Sequence, residues 1–150
     1  MHKLLSAIAV VLAAIALHVL AQESPAGLSV GKWAGDWRSI QGGYGSMQMV
    51  VDVKGDEIFG QVRATGSRGC SVEWEKLAGV SKGNTIVAHY NLGGQCGKVD
   101  IIYLIDQGGN VMTGSWSSQW PSSGTFRLTK QPSPAAGATG VPPIPAEQKQ

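Results

Sequence analysis

The stretch MQMVVDVKGDEIFGQVRA, residues 47–64, predicts a β-hairpin and with it the fold class of the chain. A two-residue turn formed by Gly55 and Asp56 places Val53 opposite Ile58 and continues this pairing along both strands. One face of the pair is then apolar or small at every position. The other face carries the polar side chains Gln48, Asp52, Lys54, Glu57, Gln61 and Arg63. Antiparallel strands of this kind pack one face on a core and leave the other to water.

A second hairpin is predicted between the two cysteines of the chain, Cys70 and Cys96. A three-residue loop at residues 82–84 places Val80 opposite Ile86, and the same register places the cysteines opposite each other. Directly opposed residues of antiparallel strands have Cα atoms about 4.5 to 5.5 Å apart, which is within the range of a disulfide. The sequence therefore predicts a disulfide between Cys70 and Cys96, as is common in small secreted domains.

A third hairpin is predicted at residues 99–118, with the sequence VDIIYLIDQGGNVMTGSWSS. A turn at Gly108 and Gly109 places Tyr103 opposite Gly114, and one face of the pair is again apolar. The polar side chains of the two strands alternate onto the other face. The hairpin is therefore half-buried, like the first.

The complete pattern is all-β, because period-two alternation recurs between turns that are marked by glycine. Further strands, near residues 35–40 and 124–130, flank the hairpins and bring the predicted number of strands to eight. Sequential antiparallel strands with short turns can close on themselves, whereas a two-sheet sandwich would normally need longer connections. The favoured fold is an eight-stranded antiparallel up-and-down β-barrel with one disulfide.

The two ends of the chain differ from this domain in composition. An apolar run follows His2 and Lys3 and ends in small residues at Ala21, which is typical of a signal peptide. A retained membrane anchor is the less favoured alternative, because no basic stop-transfer cluster follows the run. The predicted segments are a signal peptide at 1–21, an N-terminal arm at 22–29, the barrel at 30–130 and a disordered Pro/Ala/Gly-rich tail at 131–150. A secreted or periplasmic protein is expected.

Charge and histidine content restrict the possible functions. Within residues 30–130, ten basic and eight acidic side chains are scattered singly, which disfavours nucleic acid as a partner. His89 is the only histidine after the predicted cleavage site, and the register places it on the outer face. A lone surface histidine provides neither a catalytic pair nor a metal site. The sequence therefore predicts a protein that is not an enzyme and that has no cofactor and no metal ion.

The tripeptide GDW, residues 35–37, and the closing stretch GTFRLTK, residues 124–130, suggest a family. In the predicted barrel, Trp37 points inward near the floor and Arg127 lies over its ring, while Trp33 only plugs the barrel end. Together with the eight strands, these motifs resemble the calycin superfamily, most closely its avidin-like members and more distantly lipocalins and bacterial protease-inhibitor barrels. The resemblance implies a structural role for Trp37 and Arg127.

The avidin-like resemblance raises the question of whether this chain binds biotin, the ligand of avidins. In avidins the strand after the GxW motif supplies an asparagine to the biotin ureido group, and the corresponding residue here is Ser39. A tyrosine of the avidin site corresponds to Val62. Because these two polar ligands are changed, biotin binding is not expected. Ser39 remains a candidate contact for another ligand.

The predicted barrel interior contains one charged residue, Lys76, because the pairing of Cys70 with Cys96 places it inward opposite Tyr90. A bulge that turns Leu77 inward instead is the alternative. Long charged side chains are rarely buried without a partner, so an inward lysine would lie at an open barrel mouth, extend outward to solvent or bind an acidic group. The candidate ligand-binding residues are Ser39, Trp74, Lys76, Tyr90, Tyr103 and Trp116.

Two functional classes remain open. The first is a barrel that binds a small apolar or weakly anionic molecule inside, and aromatic walls with few polar groups favour it. The second is a barrel that binds another protein through its loops or its N-terminal arm QESPAGLSVGKW, as bacterial protease inhibitors of the superfamily do. On the outer face, Ile102 and Leu104 are large and apolar, so we expect a second subunit or the VPPIP segment of the tail to cover them.

Overall fold

The computed structural model describes residues 25–66, 70, 72–93 and 95–133. The predicted signal peptide and the predicted tail from residue 134 onward lie outside the described residues. The described elements are a short helix followed by strands. They are α1 (Pro25–Ser29), β1 (Gly31–Ser39), β2 (Tyr44–Lys54), β3 (Glu57–Ala64), β4 (Glu75–Lys82), β5 (Thr85–Leu92), β6 (Gly97–Ile105), β7 (Val111–Ser118) and β8 (Ser123–Lys130).

Within the described residues, the eight strands form a closed barrel in which neighbours in sequence are also neighbours in the sheet. The barrel closes where β1 pairs antiparallel with β8, with Trp33 opposite Lys130 and Ser39 opposite Gly124. Closure pairs the two strands that an open sheet would leave exposed to association with other chains. The predicted up-and-down barrel is confirmed.

Two of the predicted hairpins are confirmed in their register. Lys54 lies opposite Glu57 in the β2–β3 hairpin, and Tyr103 lies opposite Gly114 in the β6–β7 hairpin. Gly55 begins the β2–β3 turn with a φ of 62°, a conformation that glycine adopts without steric cost. The alternation of apolar and polar side chains therefore predicted both registers correctly.

The predicted register of the β4–β5 hairpin is wrong by one residue. The turn contains two residues, Gly83 and Asn84, instead of three, so that Val80 lies opposite Val87 rather than Ile86. Gly83 has a φ of 60°, which suits the first central position of a two-residue hairpin turn. The Gly-Asn pair is thus sufficient to reverse the chain.

This shift changes which side chains of β4 face the core, because successive residues of a strand point to opposite faces. Leu77 is buried with 2% exposure, whereas Lys76 is exposed on the outer face opposite Gln61. The predicted inward position of Lys76 is therefore wrong. The alternative with Leu77 inward is the correct one, and its cause is the shorter turn.

The predicted disulfide between Cys70 and Cys96 is confirmed, with Cα atoms 5.4 Å apart. It does not belong to a regular hairpin, because β4 begins only at Glu75. Cys70 lies in the connection between β3 and β4, and Cys96 lies in the connection between β5 and β6. The disulfide therefore links two connections at the same end of the barrel.

The two ends of the barrel differ in their connections. At the closed end, short turns join β2 to β3, β4 to β5 and β6 to β7. Helix α1 lies against β2, β5 and β6 at this end, with Ala26 and Ser29 fully buried. At the other end, which we call the open end, four connections join the remaining pairs of strands. They comprise residues 40–43, 65–74, 93–96 and 119–122.

The closed end is built around Trp33. Its indole Nε1 donates a hydrogen bond to the Ser29 carbonyl at 2.7 Å, and Lys130 Nζ lies 5.4 Å from the centroid of the ring. The same ammonium group donates to the Leu28 carbonyl at 3.2 Å. The cation over the indole and the two hydrogen bonds hold α1 on the barrel.

The predicted pairing of Arg127 with Trp37 is wrong. Arg127 lies between Phe126 and Leu128, which both point into the core, so that its own side chain is exposed on the outer face. There it lies opposite Asp36. Trp37 points inward as predicted, but it lies away from the closed end.

Candidate functional site

A cavity of about 940 Å³ lies inside the open end of the barrel. Inward-facing side chains of the strands form its wall, and the connections of the open end form its rim. The large apolar and aromatic residues of the wall are Trp37, Met47, Tyr90, Leu92, Val99 and Trp116. The volume is within the range of pockets that enclose small organic ligands.

Trp37 reaches the cavity because of its position along β1. Trp33 and Trp37 both point inward, but they are separated by about 13 Å along an extended strand. The first indole therefore fills the closed end, while the second lines the cavity.

Two indoles form one side of the cavity wall. The rings of Trp37 and Trp116 pack edge to face, with centroids 5.7 Å apart and planes at 90°. Trp37 Nε1 donates a hydrogen bond to the Thr65 carbonyl at 2.9 Å. A Cβ atom on Gly45 would overlap the Thr65 carbonyl oxygen and lie 2.7 Å from Trp37 Nε1, so only glycine fits there. The protein itself thus fixes the orientation of Trp37.

Polar side chains connect two parts of the cavity rim. Ser122 Oγ donates a hydrogen bond to Gln41 Oε1 at 3.0 Å, and Ser39 Oγ donates to the same oxygen. Gln41 Nε2 in turn donates to the Pro121 carbonyl at 3.2 Å. The β1–β2 and β7–β8 connections therefore form one polar edge that includes Ser39.

Tyr90 brings a buried hydroxyl to the cavity wall. The residue is 5% exposed, and no hydrogen-bond partner for its hydroxyl is found among the described residues. Burial raises the pKa of this hydroxyl far above its usual value of 10. The group therefore stays protonated at neutral pH, where it can both donate and accept a hydrogen bond.

The structure brings three of the predicted binding residues together on the cavity, namely Ser39, Tyr90 and Trp116. Tyr103 also points inward, but it lies in the packed core with 1% exposure. Burial raises the pKa of its hydroxyl as well, and the Ser29 side chain acts in the opposite direction. Tyr103 is thus part of the core below the cavity.

Two of the predicted binding residues lie away from the cavity. Trp74 precedes β4 and is 40% exposed, and Lys76 lies on the outer face of β4. Both were expected to point inward from a strand that began earlier and had the other register. The described part of the cavity wall contains no Asp, Glu, Lys, Arg or His. The lysine on which a weakly anionic ligand was predicted is therefore not a wall residue.

Several cavity residues carry no local sequence signal that marks them as a site. Trp37 resembles a structural tryptophan, and Gln41 and Trp120 lie in loops, and Tyr44 at the start of β2, without a common motif. What these residues share is that they lie in or beside connections at the same end of the barrel, and the order of the strands determines that end. In an up-and-down barrel, the connections after odd-numbered strands all lie at one end. Applied to the predicted strands, this rule would have grouped these loops.

Other candidate chemistry is sparse in the part of the chain that the structure describes. No group of three or more His, Cys, Asp and Glu side chains that could hold a metal ion occurs there. His89 is exposed on the outer face of β5, as predicted, and lies opposite Ala78 and Asp100. Among the same described residues, no helix has the length and apolar character needed to cross a membrane.

Comparisons with known proteins identify the fold. No protein-family model and no curated protein match the chain. The redesigned β-barrel b11L5F_LGL matches with a TM-score of 0.57 and 17% identity, over 73% of this chain and 96% of that one. The redesigned barrel mFAP1 bound to DFHBI matches with a TM-score of 0.54 and 16% identity, over 72% and 100% of the two chains. EF1p2_mFAP2b bound to DFHBI matches with a TM-score of 0.54 and 14% identity, over 74% and 100%. The chain shares with these proteins the fold of a small β-barrel, and none of these likenesses is specific to avidins.

Proposed function

We propose that this chain is a non-enzymatic β-barrel that binds a small, largely apolar molecule in the cavity at its open end. The observation that carries the proposal is the cavity of about 940 Å³, with Trp37, Tyr90, Leu92 and Trp116 on its wall. A barrel with a purely structural interior would be filled by its own side chains, as the closed end is. Apolar walls with a few polar groups are typical of small-molecule sites.

Two structural neighbours support the same class of function. The barrels mFAP1 and EF1p2_mFAP2b are each bound to DFHBI. A barrel of this fold and size is therefore compatible with binding of a small organic molecule. Because the two proteins are only 16% and 14% identical to this chain, they support ligand binding as a class and no particular ligand.

The second function predicted from the sequence, binding of another protein through the loops or the N-terminal arm, has less support. Ala26 and Ser29 of the arm are buried at the closed end, where a partner could not reach them. Binding through the loops would also not require the cavity. Ligand binding is therefore the better-supported function.

We also propose that the protein acts outside the cytoplasm, as a secreted or periplasmic protein. The disulfide between Cys70 and Cys96 supports this location, because disulfides persist mainly in oxidising compartments. The flanks of the N-terminal apolar run support export in the same way. N-terminal sequencing of the mature protein is expected to begin at Gln22, and an intact Met1 in a membrane fraction would contradict export.

Titration with N-phenyl-1-naphthylamine, a neutral dye that fluoresces more strongly in apolar surroundings, tests the ligand-binding proposal. We expect a saturable rise in fluorescence with one site per barrel. Ala64 lines the cavity, whereas Ala78 is exposed on the outer face of β4. In Ala64→Phe the added phenyl ring is expected to occupy part of the cavity and to lower the affinity for the dye about tenfold or more. Ala78→Phe is expected to leave this affinity unchanged.

Thermal melts of both variants show whether a loss of binding reflects a loss of fold. Absence of a saturable signal in the wild type would contradict ligand binding in the cavity. Equal dye affinity in the wild type and in Ala64→Phe, or equal weakening by both variants, would also contradict it.

A further inference from the structure

We infer that the cavity selects a neutral ligand and that the Tyr90 hydroxyl forms the hydrogen bond that orients it. This inference rests on the proposed function and names the chemical class of the ligand. It follows from two features of the described cavity wall. These are its lack of charged side chains and the buried residue Tyr90, whose hydroxyl has no hydrogen-bond partner among the described residues.

The lack of charge concerns every described residue of the cavity wall and rim. None of them is Asp, Glu, Lys, Arg or His. The basic side chains of this region, Lys76, His89 and Lys98, line a second groove, which Tyr90 also borders. An ionised ligand would lose its hydration on entering the cavity without gaining an opposite charge from any described residue of the wall, which disfavours its binding. A neutral ligand does not bear this cost.

Most polar groups of the wall and rim already have partners within the protein. Trp37 Nε1 is bonded to the Thr65 carbonyl. Ser39, Gln41 and Ser122 are bonded to one another across the rim. These groups hold the shape of the site, and a ligand would have to break their bonds to use them.

The indole Nε1 of Trp116 is buried and lacks a partner in the described part of the chain, as does the hydroxyl of Tyr103 in the core below the cavity. No hydrogen-bond partner is found among the described residues for the hydroxyl of Tyr90, a buried residue of the wall. Trp116 Nε1 lies close to the backbone of β8, since a Cβ atom on Gly124 would be 2.8 Å from it. This position leaves little room for a ligand atom. Tyr90 is therefore the buried wall residue whose hydroxyl a ligand in the cavity can reach. The other polar side chains of the lining that are not bonded at the rim lie exposed at its edge, namely Tyr44, Gln95 and Trp120.

A buried tyrosine hydroxyl normally has a hydrogen-bond partner. The Tyr90 hydroxyl is protonated at neutral pH, since the ordinary pKa of tyrosine is already 10 and burial raises it further. It can therefore donate a hydrogen bond to an oxygen or nitrogen atom of a neutral ligand. The aromatic rings of Trp37 and Trp116 then contact the flat apolar body of the same molecule.

Three probes of similar outline test the inference by equilibrium dialysis. Flavone is neutral and planar and carries a ketone oxygen. In 2-phenylnaphthalene the ring outline is similar but the acceptor is missing, and flavone-6-carboxylate adds a negative charge. We expect the wild type to bind flavone about tenfold more tightly than 2-phenylnaphthalene, since a net hydrogen bond corresponds to about that factor. We expect flavone-6-carboxylate to bind more weakly than flavone, because its carboxylate loses hydration in the cavity.

Tyr90→Phe removes the hydroxyl and keeps the ring. It is expected to lower the flavone affinity about tenfold and to change that of 2-phenylnaphthalene by less than about twofold. Tyr103→Phe is the matched control, because Tyr103 is also buried but lies in the core below the cavity. This control is expected to retain the preference for flavone.

Equal binding of flavone and 2-phenylnaphthalene by the wild type, or undiminished flavone binding by Tyr90→Phe, would overturn the role of Tyr90. Tighter binding of flavone-6-carboxylate than of flavone would overturn the neutral ligand class. If N-phenyl-1-naphthylamine still binds in these cases, the proposed function stands and the inference alone is rejected. Absence of binding by all three probes and by the dye would reject both.

Discussion

Lys130 and Arg127 illustrate at the scale of single residues how the parity of a strand position determines its role. They are three residues apart on β8 and therefore point to opposite faces. Lys130 lies over the ring of Trp33 and donates to the Leu28 carbonyl, whereas Arg127 is exposed on the outer face. The cation that stabilises the closed end is therefore Lys130.

Replacement of Lys130 by methionine tests this role, because it removes the charge and the donor but keeps most of the apolar stem. The free energy of unfolding is expected to fall by about 1 to 2 kcal/mol in urea denaturation. Arg127→Met is the matched control and is expected to change it by less than about 0.5 kcal/mol. Equal effects of the two substitutions on the free energy of unfolding would contradict the role of Lys130 in stabilising the closed end through Trp33.

At the scale of elements, Asp106 stabilises the turn between β6 and β7. Its carboxylate accepts hydrogen bonds from the backbone N–H of Val111 at 2.9 Å and of Asn110 at 2.7 Å. These bonds lower the pKa of the carboxyl group below its usual value of 3.8. Because the folded-state pKa is depressed, the stabilisation is present above pH 3.8 and disappears as the pH falls through the folded-state pKa.

Asp106→Asn is therefore expected to lower the melting temperature at pH 7 and to have little effect in acid, where the wild-type carboxyl is itself neutral. Thermal melts of the wild type and of Asp106→Asn, from pH 7 down to below pH 3.8, measure the difference between their melting temperatures. Asp52→Asn, at an exposed position of β2, serves as the control and is expected to have little effect at either pH. A difference between wild type and Asp106→Asn that stayed constant into acid would show that the charge on Asp106 is not what stabilises the turn.

The disulfide links two connections of the open end, and both of its cysteines line the cavity. It joins residues with a sequence separation of 26, so its loss frees a loop of the unfolded chain. Replacing Cys70 and Cys96 together by serine is expected to lower the free energy of unfolding by roughly 3 to 4 kcal/mol in urea. Reduction of the wild type provides the control and should produce a similar loss. A loss below about 1 kcal/mol in both experiments would refute a stabilising role.

At the scale of the whole molecule, the outer face of the barrel carries an apolar row. Val80, Val87 and Ile102 lie opposite one another on β4, β5 and β6. Ile102 and Leu104 point outward as predicted, and each is 49% exposed. That these residues form an interface between subunits remains a prediction.

Replacing Ile102 and Leu104 together by lysine is expected to reduce the sedimentation coefficient to that of a monomer without lowering the melting temperature, because charge disrupts an apolar contact. Gln48→Lys with Gln61→Lys, at exposed positions of β2 and β3 that do not adjoin β6, is the matched control and should leave the particle size unchanged. The same particle size for the wild type and the Ile102 and Leu104 variant would contradict a subunit interface at this face.

The sequence by itself determined the features whose information is local. The β2–β3 and β6–β7 hairpins depend on alternation on either side of a glycine turn, and both registers could be predicted from that pattern. The disulfide could be predicted because the chain has two cysteines and small exported domains commonly pair them. A series of short antiparallel strands without long connections leaves its edges exposed unless it closes, so the barrel also followed from the sequence.

Only the tertiary structure decided which residues meet in the cavity. The Lys-Gly-Asn segment is compatible with a turn of two or three residues, and this difference of one residue moved Lys76 from the inside to the outside. Trp33 and Trp37 have the same parity on β1, so their separate roles depend on where α1 and Lys130 lie. The cavity is the space left between side chains of strands that are distant in sequence, and a local pattern does not specify such a volume.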